Sequence, residues 1–509
     1  MERTDSVIGD VQAPLGRIAV LAAIVSCATA GLIVGSVVYP AQVLLWLAVA
    51  VTTILTLLPI GVGLARTRVD IFEPPVLLGL FFFIGFPLAA VMAFGFGQEF
   101  DAGQSFDWFP GALLVAALGL CAWYLGYYLG PGAILARALP SLPRRWDDRR
   151  AAFMVGGFSA AGWAAQLLAI ARGGYLHGFR TQVSLQLSTT VAWVGEFALV
   201  ALACASVQYF ERARQGRSSA AWRAAFFGLF ALELAYTVPT GSRQSLLMTL
   251  AIPLIGAYYV LGRVRWSVFV VLGLAVVLLV FPIENAYRMA VSESVDINRV
   301  HPSFASVQTL RRATVVALSQ LGNLSGTAYA VMSVRTVIER LNMVGIVSAI
   351  VRWTPGVWPF DFGRSFQAFV TSLAPPRFIL NKPISEVGGV EFAHRYRLIR
   401  PVDSITSVGP TRLGELYQNF WLGGVLAGMW AEGALSRVGY EYFIGRMRPS
   451  PSGVVLFIFF VLTFVQFNAF ADYALMLKLF AVLILVMLWA GAGRGTDRAR
   501  PPAGGVAEV

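Results

Sequence analysis

Long apolar runs separated by short polar segments make up most of this chain. Twelve runs hold about 20 mostly apolar residues each, the length that crosses the hydrocarbon core of a bilayer as an α-helix. They lie near residues 18–38, 42–64, 75–95, 109–131, 151–171, 188–209, 223–240, 244–261, 266–283, 414–435, 452–470 and 473–491. The pattern predicts an all-α, polytopic transmembrane protein with about 12 spans.

The composition excludes most other classes of protein. Of 509 residues, 57% are hydrophobic and 13% are charged, whereas a soluble domain carries about 25% charged residues. A soluble enzyme, a nucleic-acid-binding module and a disordered chain are therefore excluded. The three cysteines lie inside apolar runs, where a thiol behaves as a small hydrophobic group, so the chain is not a secreted disulfide scaffold.

The distribution of arginine between the loops predicts the orientation. One set of segments holds 21 Arg and comprises the N-terminus, 65–74, 132–150, 210–222 with Arg223, 262–265, 436–451 and the C-terminal tail. The alternating short loops 39–41, 96–108, 172–187, 241–243 and 471–472 hold three. Because arginine-rich loops stay in the cytoplasm, we expect both termini to be cytoplasmic. The net charge of +12 then reflects topology rather than binding to nucleic acid.

One long outer segment, residues 284–411, interrupts this regular pattern. It divides the chain into residues 1–283 with nine spans, the periplasmic segment itself, and residues 412–509 with three spans and a cytoplasmic tail. Within it, residues 313–334 and 341–360 have the composition of amphipathic surface helices, re-entrant segments or one further pair of spans. The chain therefore has 12 or 14 spans, and we expect 12.

Basic residues beside glycine, proline and aromatic residues mark the predicted outer side. They are Arg243, Arg288, Arg364, Arg377, Lys382, Arg395, Arg397, Arg400 and Arg412. Guanidinium groups bind phosphate oxygens in a bidentate manner and keep their charge. Several of them at a bilayer edge indicate a site for an anionic ligand with a lipid tail, such as a polyprenyl pyrophosphate. The alternative is that each contacts lipid headgroups or a nearby acid. The sequence contains no P-loop, dinucleotide fingerprint or HExxH motif, and we expect no cofactor or metal.

Three stretches resemble segments of the O-antigen polymerases, the Wzy-type polymerases of oligosaccharide repeat units. They are TGSRQSLLMTLAIPLIGAYYV from residue 240, FGRSFQAFVTSLAPPRFILNKP from residue 362 and TRLGELYQNFWLGGVLAGMWAEGAL from residue 411. RVDIFEPPVLLGLFFF, from residue 68, is a weaker match. The family usually continues Asn-Phe-Gly where this chain has Trp421.

The resemblance implies a metal-independent, inverting glycosyltransferase of the GT-C type at the periplasmic face of a bacterial inner membrane. It would transfer a growing glycan from undecaprenyl pyrophosphate to a lipid-linked repeat unit. Arg243, Arg288, Arg364 and Arg377 match the family's basic positions for pyrophosphate, and we add Lys382 and Arg412. The implied partners are the undecaprenyl-pyrophosphate-linked oligosaccharide, the bilayer, a chain-length regulator and a flippase.

The residues that would act on the acceptor sugar are less sharply defined. An inverting transfer needs a base near the acceptor hydroxyl or strong stabilisation of the leaving group. Glu415 lies one helical turn from Arg412, so it is either the base or the ion-pair partner of Arg412, and His394 is the competing base. Further candidate bases are Asp361, Glu391 and Asp403, and acids within predicted spans are Glu196, Glu233 and Glu432. We expect the aromatic side chains of Trp358 and Tyr417 to contact the glycan.

Two other functions fit parts of the same pattern. An O-antigen ligase-type glycosyltransferase shares the layout but transfers the glycan to a different acceptor. A lipid or polysaccharide transporter is the alternative outside the enzymes, although the sequence shows none of the paired repeats common in transporters. The sugars, the linkage and the oligomeric state do not follow from the sequence.

Overall fold

The computed structural model describes residues 28–65, 70–95, 106–171, 193–217, 219–240, 243–262, 266–283, 325–373, 389–401, 408–445, 449–466 and 470–491, with a few isolated positions between them. The helices, in chain order, are α1 (Ala28–Val38), α2 (Val43–Ala65), α3 (Pro74–Gly95), α4 (Phe109–Leu129), α5 (Gly132–Ala138), α6 (Asp148–Ala171), α7 (Phe197–Arg214), α8 (Ala220–Thr240), α9 (Arg243–Leu261), α10 (Trp266–Ala275), α11 (Gly326–Leu341), α12 (Met343–Trp353), α13 (Gln367–Leu373), α14 (Gly389–Arg395), α15 (Arg412–Phe443), α16 (Pro451–Gln466) and α17 (Ala471–Gly491). A π-helical turn at Ile84–Leu88 lies within α3, and another at Val276–Val280 follows α10.

Eight helices in the described part of the chain are long and apolar enough to cross a membrane, namely α2–α4, α6–α9 and α17. The chain is therefore an all-α, polytopic membrane protein. Three further predicted spans correspond to shorter apolar helices, which are α1, the helical stretch Val271–Ile283 and α16. The run predicted at 414–435 lies in α15, which carries several polar residues and a break in its backbone. The total of 12 spans stays a prediction.

The long segment between α10 and α15 contributes a short buried helix, α12. Its 11 residues correspond to about 16 Å at 1.5 Å per residue, about half of a hydrocarbon core of about 30 Å. Asn342 caps the helix by accepting a hydrogen bond from the Gly345 backbone N–H at 2.9 Å. Its residues Val344, Val347 and Ile350 are fully buried in the cluster that includes α4 and the start of α15.

Two hydrophobic clusters of the described residues form the interior. One joins α6–α9 with the end of α15, α16 and α17, and the other joins α2–α4 with α12 and the start of α15. Helices α4 and α15 approach closely at two glycines, as is common in membrane helix pairs. A Cβ atom on Gly126 would lie 1.9 Å from the Trp430 carbonyl oxygen, and one on Gly433 would lie 2.1 Å from the Trp123 carbonyl oxygen. Neither position tolerates a side chain without separation of the helices.

Loops predicted to share one side of the membrane come together at one end of the helices. The Trp146 indole donates to Ser452 Oγ at 2.8 Å, the Tyr442 hydroxyl donates to the Pro140 carbonyl at 2.7 Å, and the Arg150 guanidinium donates to the Trp489 carbonyl at 2.8 Å. We call this end, formed by residues 140–150, 208–217, 437–445 and 449–452, the arginine-rich end. The cytoplasmic placement of this end stays a prediction.

Candidate functional site

The site lies at the other end of α15, where the helix begins and then breaks. Phe420 has φ −139° and ψ 21°, and Trp421 has φ 55° and ψ −150°, so the helix divides into residues 412–419 and 422–443. A positive φ is sparsely populated by residues other than glycine and costs about 1–3 kcal/mol. The backbone conformation found at Trp421 is one that glycine adopts readily.

A turn from the long segment covers the end of the first half-helix. Residues 361–366, which we call the 361–366 turn, bring two backbone N–H groups to carbonyls that the break deprives of their helical partners. Asp361 N–H donates to the Gln418 carbonyl at 3.1 Å, and Phe362 N–H donates to the Asn419 carbonyl at 3.3 Å. The break in α15 and the turn are therefore one structural unit, although about 50 residues separate them in the chain.

Buried side chains continue this connection. The Ser365 hydroxyl donates to Glu415 Oε1 at 2.7 Å, and Asn419 Nδ2 donates to Ser365 Oγ at 2.7 Å. The Gly363 N–H donates to Asn419 Oδ1 at 2.8 Å, and the Phe470 N–H donates to Glu415 Oε2 at 2.9 Å. Glu415 is 2% exposed. Its carboxylate thus joins the 361–366 turn, α15 and the segment before α17. We call this end, formed by residues 358–366, 411–419 and 470–473, the site end.

Arg364 lies next to Ser365 but points to the outside of the same turn. Its side chain is exposed and lines a shallow pocket together with Asp361, which is ion-paired with Arg395, and with Phe362, Gly363, Phe366, Gln367 and Val370. Phe362 is 76% exposed and Val370 is 62% exposed. The pocket therefore offers a cation beside apolar surface, a combination that suits an anionic group attached to a lipid.

Arg412 occupies a different environment from the one that the sequence predicted. It is 1% exposed and forms an ion pair with Glu432. It also donates to the Phe464 carbonyl and the Tyr473 hydroxyl, and its guanidinium lies 5.3 Å from the centre of the Phe464 ring. Arg412 is therefore buried, where we expected it to be displayed to a pyrophosphate, and it forms an ion pair with Glu432 in the second half of α15.

A second ion pair holds the start of the 361–366 turn. Arg395 at the end of α14 contacts both carboxylate oxygens of Asp361 at 3.0 Å, and Gln418 donates to the same carboxylate. The Arg395 guanidinium lies 5.2 Å from the Trp358 ring centre, and the Trp358 indole donates to the Arg395 carbonyl at 3.0 Å. Asp361 is thus engaged in structure, whereas Trp358 stays 38% exposed.

The remaining predicted residues of the described part fall into different environments. His394 is half-buried on α14, next to Arg395. Tyr417 is 6% exposed within the second hydrophobic cluster, so it presents little surface to a sugar. Of the other acids, Glu391 is exposed, and Glu233 is 1% exposed with Gln166 donating to it at 3.5 Å.

Several predicted ligands lie outside the described residues. These are Arg288, Arg377, Lys382 and Asp403, and the side chain of Arg243 as well. The backbone of Arg243 begins α9. That helix runs toward the arginine-rich end, where Tyr259 contacts Tyr440 through Asp70, so its first residue lies toward the site end.

A separate buried cluster forms around the two acids that precede α3, Asp70 and Glu73. Asp70 accepts hydrogen bonds from the Tyr259 hydroxyl at 2.8 Å and from the Tyr440 hydroxyl at 2.8 Å. Burial raises the pKa of Asp70 above its usual value, although the tyrosine hydrogen bonds act in the opposite direction. Nearby, the Tyr127 hydroxyl donates to Glu73 at 3.1 Å. The cluster ties the start of α3 to α4, α9 and α15.

Sequence reasoning did not single out Ser365 and Asn419, although both lie within the resembling segments. Each of these residues has a short polar side chain close to a glycine or a helix break. That combination could have marked them, but only the fold brings the two residues together. Among the described residues, no three His, Cys, Asp or Glu side chains are grouped as metal ligands. The chain matches no protein-family model, no curated protein and no solved structure.

Proposed function

We propose that this protein is a membrane-embedded glycosyltransferase that extends a polysaccharide. In this proposal it transfers a growing glycan from undecaprenyl pyrophosphate to a lipid-linked repeat unit at the periplasmic face of the inner membrane, with an inverting, metal-independent mechanism of the GT-C type. The observation that carries the proposal is the direct hydrogen bonding between two segments that resemble O-antigen polymerases. Ser365 and Gly363 of one segment bind Glu415 and Asn419 of the other, and Arg364 is displayed at their junction.

In this proposal Arg364 acts on the diphosphate, and neighbouring residues hold Arg364 in position. Transfer of the glycan leaves a diphosphate whose negative charge must be stabilised, and a guanidinium held in place does this without reorganisation. The network of Ser365, Asn419 and Glu415 fixes the backbone on both sides of Arg364, so we assign these three as positioning residues. Arg243, Arg288, Arg377 and Lys382 supply further positive charge in this proposal, and His394 is the candidate base.

The test uses the purified full-length protein in detergent with a synthetic lipid-linked single repeat unit and no nucleotide-sugar. Products are separated on a gel. We expect a ladder of lipid-linked multimers from the wild type and an initial rate about 10- to 100-fold lower from Arg364→Ala, as for loss of a hydrogen bond to a charged group. Arg364→Lys should fall between them because lysine cannot form the bidentate contact.

Arg137→Ala is the matched control, because Arg137 is an exposed arginine on α5, away from the 361–366 turn. If Arg137→Ala lowers the rate as much as Arg364→Ala does, the loss is not specific to Arg364, and Arg364 is not part of the site. Unchanged single repeats from folded wild-type protein would contradict the polymerase. In that case a lipid A core acceptor is added: transfer to it indicates a ligase, and no product with either acceptor indicates transport.

A further inference from the structure

A charged pocket at the arginine-rich end is unrelated to the 361–366 turn. It lies between the residues that precede α6, the last turn of α7 and the start of α16, and encloses about 360 Å³. Six charged residues line it, which are Arg144, Arg145, Asp148, Glu211, Arg212 and Arg217. The volume exceeds that of a phosphate group, and four of the six charges are positive.

Both acids of this pocket are already engaged. Asp148 forms an ion pair with Arg212 at 2.7 Å and accepts from Gln208 at 3.2 Å. Glu211 accepts from Arg214 and from Gln215, each at 2.7 Å. The pocket therefore keeps a net positive charge.

The remaining three arginines supply that charge. Arg144, Arg145 and Arg217 are exposed, and none of them forms an ion pair with another residue of the described ranges. In addition, the buried Nε–H of Arg212 has no acceptor among the described residues. Guanidinium groups on one concave surface bind phosphate oxygens in a bidentate manner and keep their charge.

The position of the pocket along the helices indicates where its ligand comes from. The stretch of α7 that is long and apolar enough to cross a membrane extends to Arg214, so the pocket lies at the end of a candidate membrane-crossing helix. Trp489 is at the same end, with the Arg150 guanidinium 5.6 Å from its ring centre, and tryptophan with arginine is typical of the headgroup level. Basic pockets between helices at this level bind anionic headgroups.

We propose that this pocket is a binding site for a phosphate-bearing anion, held by Arg144, Arg145 and Arg217. The anion is the headgroup of an acidic phospholipid or free phosphate. This site is independent of the glycosyl transfer proposed above, and its ligand joins the segment that precedes α6 to the residues that follow α7.

The test measures the thermal unfolding midpoint of the purified full-length protein in dodecyl maltoside. Three probes are added separately: phosphatidylglycerol, phosphatidylcholine and inorganic phosphate. A ligand that binds the folded state raises the midpoint. The pocket variant is Arg144→Gln/Arg145→Gln/Arg217→Gln. The control variant is Arg137→Gln/Arg149→Gln/Arg223→Gln, which removes three exposed arginines that do not line the pocket, so both variants have the same net charge.

We expect phosphatidylglycerol to raise the wild-type midpoint more than phosphatidylcholine, the control variant to keep this shift and the pocket variant to lose most of it. A shift with inorganic phosphate alone, lost in the pocket variant, supports the site and identifies free phosphate as sufficient. The proposal is overturned if the wild type responds to no phosphate probe, or if the pocket and control variants lose the shift equally. Each variant's midpoint without additive reports its folding separately.

Discussion

The buried ion pair of Arg412 and Glu432 gives the sharpest prediction about stability. Arg412→Met leaves the Glu432 carboxylate, which is 5% exposed, without its counter-ion, and breaking a buried pair in this way costs about 3–5 kcal/mol. The carbonyl of Phe464 also loses a donor, and an unsatisfied buried group costs about 1–3 kcal/mol. Because the two effects share one side chain, we expect a total near the upper end of the first range.

The double variant Arg412→Met/Glu432→Leu separates charge from packing. It removes both charges, so the Phe464 carbonyl and the Tyr473 hydroxyl lose hydrogen-bond partners, but the carboxylate is no longer left without its counter-ion. We expect the double variant to be about 1–3 kcal/mol less stable than the wild type, and therefore more stable than Arg412→Met alone.

Unfolding in mixed micelles of dodecyl maltoside and sodium dodecyl sulfate, followed by circular dichroism, supplies the four free energies of the cycle. Arg214→Met is the matched control because it breaks the exposed pair with Glu211, where the expected loss is below about 1 kcal/mol. The reasoning is refuted if Arg412→Met costs no more than Arg214→Met, or if the double variant is less stable than Arg412→Met.

Three further predictions concern the helix break, the 361–366 turn and the carboxyl of Asp70. Trp421→Gly should be as stable as the wild type or up to about 2 kcal/mol more stable in the same micelles. Relief of the strain at a positive φ offsets the conformational entropy that glycine adds to the unfolded chain. A Trp421→Gly protein that is less stable than Trp421→Ala would contradict this. Ser365→Ala should destabilise the turn by about 1–3 kcal/mol, because Asn419 and Glu415 each lose a partner, and hydrogen exchange of residues 361–366 should rise; unchanged exchange would show that the network does not hold the turn. Wild-type stability should fall as the pH rises from about 4 through the raised pKa of Asp70, because the folded state holds the proton that the unfolded chain has already lost. Asp70→Asn should flatten that dependence, and an equal slope in both proteins would assign it to other groups.

The membrane-spanning pattern was predictable because it depends on composition over about 20 residues. The helices α2–α4, α6–α9 and α17 appear where the apolar runs lie. The interruption of α15 was not predictable in the same way. A hydropathy average over residues 414–435 does not depend on the backbone torsions of Phe420 and Trp421. A glycine at a positive φ often marks a helix break in the sequence, and here that position is occupied by tryptophan.

The partner of Arg412 illustrates the limit of local reasoning. A spacing of three residues places Arg412 and Glu415 on neighbouring positions of a helix surface. This local spacing was the basis on which the sequence predicted a partner for Arg412. In the fold, the break in α15 turns the second half-helix so that Glu432 reaches Arg412. Glu415 accepts a hydrogen bond from Ser365 of the 361–366 turn. Two side chains only three positions apart in the sequence thus make tertiary contacts over 20 and 50 positions.

The same rearrangement bears on the choice of base. A general base must come within about 2.6–3.2 Å of the acceptor hydroxyl, directly or through one water. Glu415 accepts hydrogen bonds on both carboxylate oxygens and is 2% exposed, so an acceptor sugar reaches it only if the 361–366 turn separates from α15. Arg364, on the exposed side of the same turn, needs no such movement. In the proposed transfer, stabilisation of the diphosphate leaving group at Arg364 therefore carries a share of the catalysis that the buried Glu415, a positioning residue, does not supply as a base. A variant that keeps the turn closed but lacks the Arg364 guanidinium is the direct way to measure that share.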